Sequence, residues 1–272
     1  MQIFSGILVA LLLLLSGQQG MMPVVDTKPA AASPFVGLVD AWPMNEGSGT
    51  SFFDIATTSP TTVIFNGGTP GITWGAVSGW PATPATFSGG SGSGVGSGSG
   101  HNWGTLDSTS TFSVCGWVRA TTWPSGDATL MNTLSGPFYN TGWGLGFIQS
   151  TGAIKVFLSN ANPSNSLGVN QTTSNPTGTN FQACFTYDGS KTPGGVVIYS
   201  AGSSVSTTTV NNSLTGSISN STMGLGSINN GSASVQGFNG VVGYVSIWSC
   251  VLSSSVIAAN AAAGPSFTGL HC

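Results

Sequence analysis

Carboxylates are the side chains of this sequence that could catalyse hydrolysis, because retaining enzymes cleave glycosidic bonds with two acids about 5 Å apart. On a strand, two acids share one face when they are two positions apart, with one residue between them. No two acids of the chain have that spacing, and Glu46 is the only glutamate. The acids are Asp26, Asp40, Glu46, Asp54, Asp107, Asp127 and Asp188. The pattern therefore predicts a chain that is not an enzyme.

Residues that could bind a metal are few. Neither His101 nor His271 has a second histidine at ligand spacing, and the cysteines form no C-x-x-C pair. Glu46 and Asp54 flank a Gly-rich turn, but two carboxylates are few for calcium, which takes about six to eight oxygen ligands. Their alternative role is to accept backbone N–H groups across the turn. We predict no metal and no cofactor, with a weak calcium site at Glu46 and Asp54 as the open alternative.

Aromatic side chains beside amides could bind sugars, which present apolar faces and hydroxyl groups together. The ligand-binding candidates are Trp123, Tyr139 and Trp143, with the neighbouring amides Asn132 and Asn140. For Trp143 the alternative is a core position, because it alternates with Leu145 and Phe147 on one side of a strand.

Charge is scarce. Only 4% of the 272 residues are charged and the formal net charge is −3, against about 25% charged residues in typical soluble domains. Four Lys and Arg residues exclude a nucleic-acid partner, because phosphate binding needs clustered basic side chains. Because the chain carries so few charges, its molecules repel each other only weakly. The low charge therefore favours a surface that is covered by glycans or buried in an assembly. A plain Ser/Thr/Asn-rich surface on a secreted protein is the third interpretation.

Four N-x-S/T sequons support a glycan coat, although an Asn-rich chain also produces sequons by chance. The glycosylation candidates are Asn170, Asn211, Asn220 and Asn230.

The chain divides into three predicted segments. Residues 1–20 are typical of a secretory signal peptide, because their apolar run is shorter than a membrane span of about 20 residues; a retained membrane anchor is the alternative. Residues 21–36 contain three prolines and predict a linker, or an arm that adds as a strand to a neighbouring subunit. Residues 37–272 form the predicted domain, in which residues 88–100 are predicted to be a loop, with a glycine strand packed against a close neighbour as the alternative. We expect a secreted protein without a membrane span after signal cleavage.

The sequence has forty-one glycines and many short stretches in which the side chains alternate between two faces, and this pattern predicts an all-β domain. Residues 237–264 predict a long strand with two covered faces, then a short helix that starts near Ser253 and stops at Gly264. Further strands are predicted at 111–120, 142–158 (a hairpin), 181–189, 195–200, about 213–218 and about 222–228.

Several stretches resemble the laminin-G-like and pentraxin-like jelly rolls, which are concanavalin A-like sandwiches. The last strand and helix match G-x-hydrophobic-G-x-V-x-I-W-x-x-x-L-S-x-x-x-I, and residues 111–120 resemble F-T-I-S-A-W-V. Residues 181–189 resemble H-V-A-V-T-Y-D-G, and the stretch from Glu46 to Asp54 resembles the opening turn of the family. The resemblance covers about residues 37–264 and implies a two-sheet antiparallel jelly-roll sandwich with a short C-terminal helix.

Four cysteines allow three disulfide pairings, and in a secreted chain disulfides are the default. Pentraxin-like relatives join the strands that correspond to those of Cys115 and Cys184. The resemblance therefore implies a Cys115–Cys184 disulfide and leaves Cys250 to pair with Cys272. The acids that bind calcium in these relatives, near residues 225–237, have no counterpart here, so calcium-dependent recognition is not implied.

The fold hosts lectins, adhesion modules and glucanases, so it does not define the function. From the low charge we predict a non-catalytic secreted structural protein that self-associates through its N-terminal arm or its sandwich edges into a filament, sheath or coat. The alternative is a lectin-like carbohydrate-binding or adhesion module with glycans as partners.

Overall fold

The computed structural model describes residues 36–49, 51–56, 62–65, 71–89, 96–97, 106–134, 141–219, 223–226, 228–229, 234–235 and 237–272. The predicted signal peptide, the predicted arm up to residue 35, and the candidates Tyr139, Asn140, Asn220 and Asn230 lie outside these ranges. Within the described ranges, no helix is long and apolar enough to cross a membrane.

The strands, in chain order, are β1 (Leu38–Trp42), β2 (Ser51–Phe53), β3 (Thr62–Phe65), β4 (Ile72–Trp74), β5 (Ala85–Ser88), β6 (Gly96–Ser97), β7 (Phe112–Ala120), β8 (Ala128–Asn132), β9 (Gly142–Phe147), β10 (Ile154–Ala161), β11 (Asn165–Gln171), β12 (Phe181–Tyr187), β13 (Val196–Ser200), β14 (Ser203–Ser204), β15 (Thr207–Asn212), β16 (Gly224–Leu225), β17 (Ile228–Asn229), β18 (Ser234–Val235) and β19 (Asn239–Trp248). One α-helix, α1 (Ser254–Ala263), follows the last strand.

Most strands belong to two sheets. The larger sheet has eight strands in the order β14-β13-β12-β7-β19-β5-β4, with β1 also paired to β19. The smaller sheet has six strands in the order β15-β11-β10-β9-β8-β16. Neighbouring strands pair antiparallel in both sheets. This architecture confirms the predicted two-sheet antiparallel jelly-roll sandwich with a short C-terminal helix.

The central strand of the larger sheet is β19. Along one side it pairs with β7; along the other it pairs first with β5 and then with β1. The change of partner coincides with a bulge between Gly243 and Ser246, where Tyr244 has a φ of 52°. Both faces of β19 are mostly buried, as its apolar residues on both alternating sets predicted.

Aromatic rings fill the space between the two sheets. The ring of Phe112 on β7 lies 5.7 Å from that of Trp143 on β9, and 5.6 Å from that of Phe185 on β12. All three side chains are completely buried. Each ring of this size buries about 150–250 Å² of surface, so the aromatic residues contribute a large share of the core.

Helix α1 covers the outer face of the larger sheet, which we call the covered face. The Ser253 hydroxyl accepts the backbone N–H of Val256 at 3.3 Å, and Gly264 ends the helix with a φ of 83°. Beneath the helix, Asn260 accepts the indole N–H of Trp117 at 3.3 Å and donates to the backbone oxygen of Thr268 at 2.8 Å. The predicted helix and both of its ends are therefore confirmed, and a buried amide fastens it to the sheet.

Both predicted disulfides are present. Cys115 and Cys184 are opposite each other on β7 and β12, with their Cα atoms 4.1 Å apart. Cys250 and Cys272 join the end of β19 to the C-terminus, and the Cys272 N–H donates to the backbone oxygen of Val36 at 3.3 Å.

Two strand predictions and one loop prediction need correction. The strand expected at about 213–218 is wrong, because β15 covers Thr207–Asn212 and the following backbone bonds to a side chain instead of a strand. The Asn165 side-chain oxygen accepts the N–H groups of Thr215 at 2.7 Å and Gly216 at 3.1 Å. The strand expected at about 222–228 is reduced to the short β16 and the start of β17. Within the predicted loop 88–100, β6 pairs with β3.

Candidate functional site

The outer face of the six-stranded sheet contains a glycine-lined depression. In β9, Trp143, Leu145 and Phe147 point into the core, so the glycines that alternate with them face outward. A Cβ at Gly146 would lie 2.5 Å from the backbone oxygen of Ala128, and one at Gly142 would lie 2.5 Å from that of Thr133. This glycine floor has no side chains of its own, but it is buried, and the Leu134 side chain packs against Gly144.

Phe157 on β10 stands over this floor. It pairs with Gly144 on β9 and with Gly168 on β11, so glycine flanks it on both sides. Its side chain packs with that of Leu134 and is 7% exposed. An aromatic ring between two glycines leaves a hollow on each side, which is how the sequence shapes this surface.

Two hollows adjoin each other here, and Lys155 and Phe157 line both. The first has a volume of about 20 Å³ and is lined by Asp127, Ala128, Thr129, Leu134, Gly144, Leu145, Gly146, Lys155 and Phe157. The second has a volume of about 170 Å³ and is lined by Lys155, Phe157, Asn162, Gly168, Asn170, Val210 and Asn211. We call them together the groove. Both are smaller than the roughly 300–1,000 Å³ of an enclosing small-molecule pocket, so the groove suits a ligand that lies along the surface.

One ion pair crosses the first hollow. The Lys155 ammonium donates to Asp127 Oδ2 at 2.6 Å, and the two side chains are 26% and 23% exposed. Asp127 Oδ1 accepts the N–H of Gln149 at 3.2 Å. Lys155 pairs with Gly146 on β9, and the missing side chain there leaves room for the ammonium to reach across to Asp127.

Amide side chains line the second hollow. Asn170 on β11 pairs with Lys155, and Asn211 on β15 pairs with Gly168. The Asn170 side-chain oxygen is buried and has no hydrogen-bond partner within the described ranges. A buried acceptor without a donor is costly, so a ligand hydroxyl in this hollow would satisfy it. The hollow also contains Val210, which is 56% exposed and supplies apolar contact area.

The predicted ligand-binding residues lie elsewhere. Trp143 is completely buried in the core, so its prediction as a ligand-binding residue is wrong and its alternative as a core residue is correct. Trp123 does not line either hollow. Its indole N–H donates to the Asn175 backbone oxygen at 2.9 Å, and its ring packs 5.1 Å from that of Phe147. Asn132 is buried, and its side-chain oxygen accepts the N–H of Leu134 at 3.2 Å.

Sequence reasoning overlooked the residues that do form the groove. The signal for it was the stretch G-W-G-L-G-F at residues 142–147, whose alternation puts every large side chain on one face and leaves only glycine on the other. Two of the glycosylation candidates, Asn170 and Asn211, lie in the groove.

The acids named as possible calcium ligands bond to the backbone instead. Asp54 Oδ1 accepts the N–H groups of Ala41 at 2.9 Å and Ala56 at 2.8 Å, and Glu46 Oε1 accepts that of Phe53 at 3.0 Å. This confirms their predicted role across the turn. Within the described ranges, no group of three His, Cys, Asp or Glu side chains could hold a metal ion.

Asp40 and Asp54 form a carboxyl pair beneath the surface. Both are completely buried. Burial, then the charge of Asp54 and a hydrogen bond with it, raise the pKa of Asp40 to about 9. Asp40 is therefore protonated at neutral pH. Neither carboxyl is accessible to a substrate, so the pair belongs to the folded framework.

Comparisons with known proteins agree with this fold. The binding domain of botulinum neurotoxin DC in complex with SialylT aligns over 85% of this chain and 52% of its own, with 15% identity and a TM-score of 0.58. A botulinum neurotoxin type C structure, described as dependent on two ganglioside molecules for cell entry, aligns over 84% and 51%, with 16% identity and a TM-score of 0.56. A Trypanosoma rangeli sialidase in complex with 2,3-difluorosialic acid aligns over 84% and 33%, with 17% identity and a TM-score of 0.55.

The chain thus spans about half the length of the toxin domains and a third of the sialidase. No curated protein sequence matches it. The family model described as the concanavalin A-like lectin/glucanases superfamily, of the laminin-G type, matches residues 89–258, which is more than half of the sequence. The two-sheet jelly roll agrees with this match, and the chain belongs to the concanavalin A-like lectin/glucanases superfamily.

Proposed function

We propose that this protein is a non-catalytic, secreted glycan-binding module whose ligand lies along the groove. The groove is the observation that supports this function. It combines a floor of glycines, the apolar Phe157 and Val210, and the amides of Asn170 and Asn211. Sugars need this combination, because they present apolar ring faces and hydroxyl groups on the same molecule.

Two further observations favour binding over catalysis and over a purely structural role. Asp127 is the acid that lines the groove, whereas glycoside hydrolysis uses two carboxyl groups. The toxin and sialidase structures that share the fold are in complex with, or depend on, sialylated or ganglioside ligands. These comparisons therefore support the lectin-like alternative better than the self-assembling structural role.

Two adjacent asparagines allow a matched test. Asn211 pairs with Gly168 and lines the groove, whereas the next residue, Asn212, pairs with Leu167 and faces the other way. With the full chain on a glycan array and then by calorimetry, Asn211→Ala should weaken binding about tenfold, as expected for about 1.4 kcal/mol of lost hydrogen bonding. Asn212→Ala should leave it unchanged. Equal effects of the two substitutions, or no glycan bound by the wild type, would contradict the proposal.

Self-association is a second candidate function because of β15. This edge strand has six uncharged residues, nearly all exposed, and its free edge could pair with another strand. Sedimentation of the full chain over a wide concentration range tests it. If association occurs, Thr207→Pro should abolish it, because the Thr207 N–H points away from β11 and proline cannot donate to a new strand ladder. A monomer at every concentration would exclude this candidate.

Secretion is proposed on the two disulfides, which form and persist in oxidising compartments. Mass spectrometry of the protein in the culture medium would test it. We expect residues 1–20 to be absent from the secreted protein. The mass of the peptide that contains Asn211 would show whether this sequon carries a glycan.

A further inference from the structure

The charge of the groove limits which glycans can bind there. Lys155 and Asp127 are the charged residues that line the two hollows. The internal segments outside the described ranges contain no Lys, Arg, Asp or Glu, so they cannot add a strong charge. Within the part of the chain that the structure describes, one cation and one anion therefore set the charge of the groove.

These two charges neutralise each other. The Lys155 ammonium lies 2.6 Å from Asp127 Oδ2, and both side chains are largely covered. Asp127 is also held by the N–H of Gln149, so it cannot turn away without losing a second hydrogen bond. A carboxylate on a ligand would have to lose its water and then compete with Asp127 for the same ammonium. If the ligand carboxylate displaced Asp127 from the ammonium, the Asp127 charge would lose its ion-pair partner in a poorly solvated place.

Hydroxyl groups face no such penalty. An uncharged sugar can donate to the Asp127 carboxylate and to the Asn170 oxygen, and can accept from the Lys155 ammonium, with the ion pair intact. We infer that the groove selects uncharged glycans and disfavours sialylated ones, and that Asp127 determines this specificity by occupying Lys155. The inference rests on the proposed function and assigns this chain a different ligand class from the sialylated ligand of the toxin domain with the same fold.

The test uses pairs of oligosaccharides that differ only by a terminal sialic acid. The wild-type full chain should bind the neutral member at least tenfold more tightly, with little change between low and high salt. Asp127→Asn keeps the shape of the side chain but removes the negative charge that pairs with the Lys155 ammonium. The variant should reduce the preference for the neutral member at least tenfold, and its binding of the sialylated member should weaken with salt.

Two controls make the result specific. Asp188→Asn removes an exposed carboxylate outside the groove and should leave the preference unchanged. The double variant Asp127→Asn with Lys155→Gln removes both charges, so it should bind neutral glycans without gaining the sialylated ones. It also keeps the test valid if Asp127→Asn alone fails to fold.

Three results would overturn the inference. A wild type that prefers the sialylated members refutes the neutral specificity while leaving glycan binding in place. An unchanged preference in Asp127→Asn refutes the role of Asp127. A wild type that binds no glycan of either kind removes the proposed function and this inference with it.

Discussion

The two outer faces of the sandwich are built in opposite ways. On the covered face, α1 and the C-terminal residues lie over the larger sheet and bury Asn260, Trp117 and a disulfide. On the face with the groove, the outward positions of β9 are buried glycines, and Lys155, Phe157 and Val210 line the hollows beside them. The first face contributes to stability, and the second is the face on which we propose that a ligand binds. Substitutions on the covered face should therefore change unfolding, and those in the groove should change binding.

The largest effect is expected from the disulfide on the covered face. Replacing Cys115 and Cys184 together by Ala should lower the free energy of unfolding by about 4 kcal/mol, because the bridge closes a long loop in the unfolded chain. The sequence separation is 69 residues, against 22 for Cys250–Cys272. Removing the second bridge should therefore cost less, about 3 kcal/mol. Urea unfolding measures both, and a reversed order would mean that loop closure is not the main contribution.

A somewhat smaller effect is expected from the buried amide beneath α1. Asn260→Ala removes hydrogen bonds to Trp117, Ser266 and Thr268 and should cost about 2–3 kcal/mol. Groove affinity of the folded variant should match the wild type. If affinity falls together with stability, the two faces are coupled and the proposed separation of roles is wrong.

The pH dependence of stability offers a third test, because Asp40 belongs to the eight-stranded sheet. Its folded pKa of about 9 lies above the ordinary value of 3.8, so the folded state holds a proton that the unfolded state loses. Its contribution is complete below about pH 4 and is lost as the pH rises toward 9, with a slope of up to about 1.4 kcal/mol per pH unit. Urea unfolding between pH 5 and 8 should show falling stability. Asp40→Asn should flatten this trend, and Asp188→Asn should keep it.

The smallest effect on folding is expected in the groove. Val210→Thr keeps the branched shape of an exposed side chain and replaces a methyl group by a hydroxyl. Stability should change by less than about 0.5 kcal/mol. Glycan affinity should fall a few-fold if Val210 contacts an apolar sugar face. A large loss of stability would show that the groove also holds the fold together.

The sequence predicted the covered face far better than the groove. Strand β19 and α1 were predictable because apolar alternation, Ser253 and Gly264 are local signals. The disulfides followed from the family resemblance. The groove depends on partners distant in sequence, such as Asp127 and Lys155, 28 residues apart on different strands. The outward position of Phe157 was also not predictable from the sequence. This apolar residue lies between the core residues Val156 and Leu158, so it breaks the alternation of apolar and polar residues that marks a strand face.

The glycine floor also limits how this protein can change. Gly146 approaches the backbone oxygen of Ala128 so closely that even an alanine methyl group would collide with it. New specificities can therefore arise by substitution at the rim, at Asp127, Asn170, Val210 and Asn211, but not by filling the floor. A directed-evolution library restricted to these rim positions would keep the depth of the groove constant while exchanging the groups that a sugar meets.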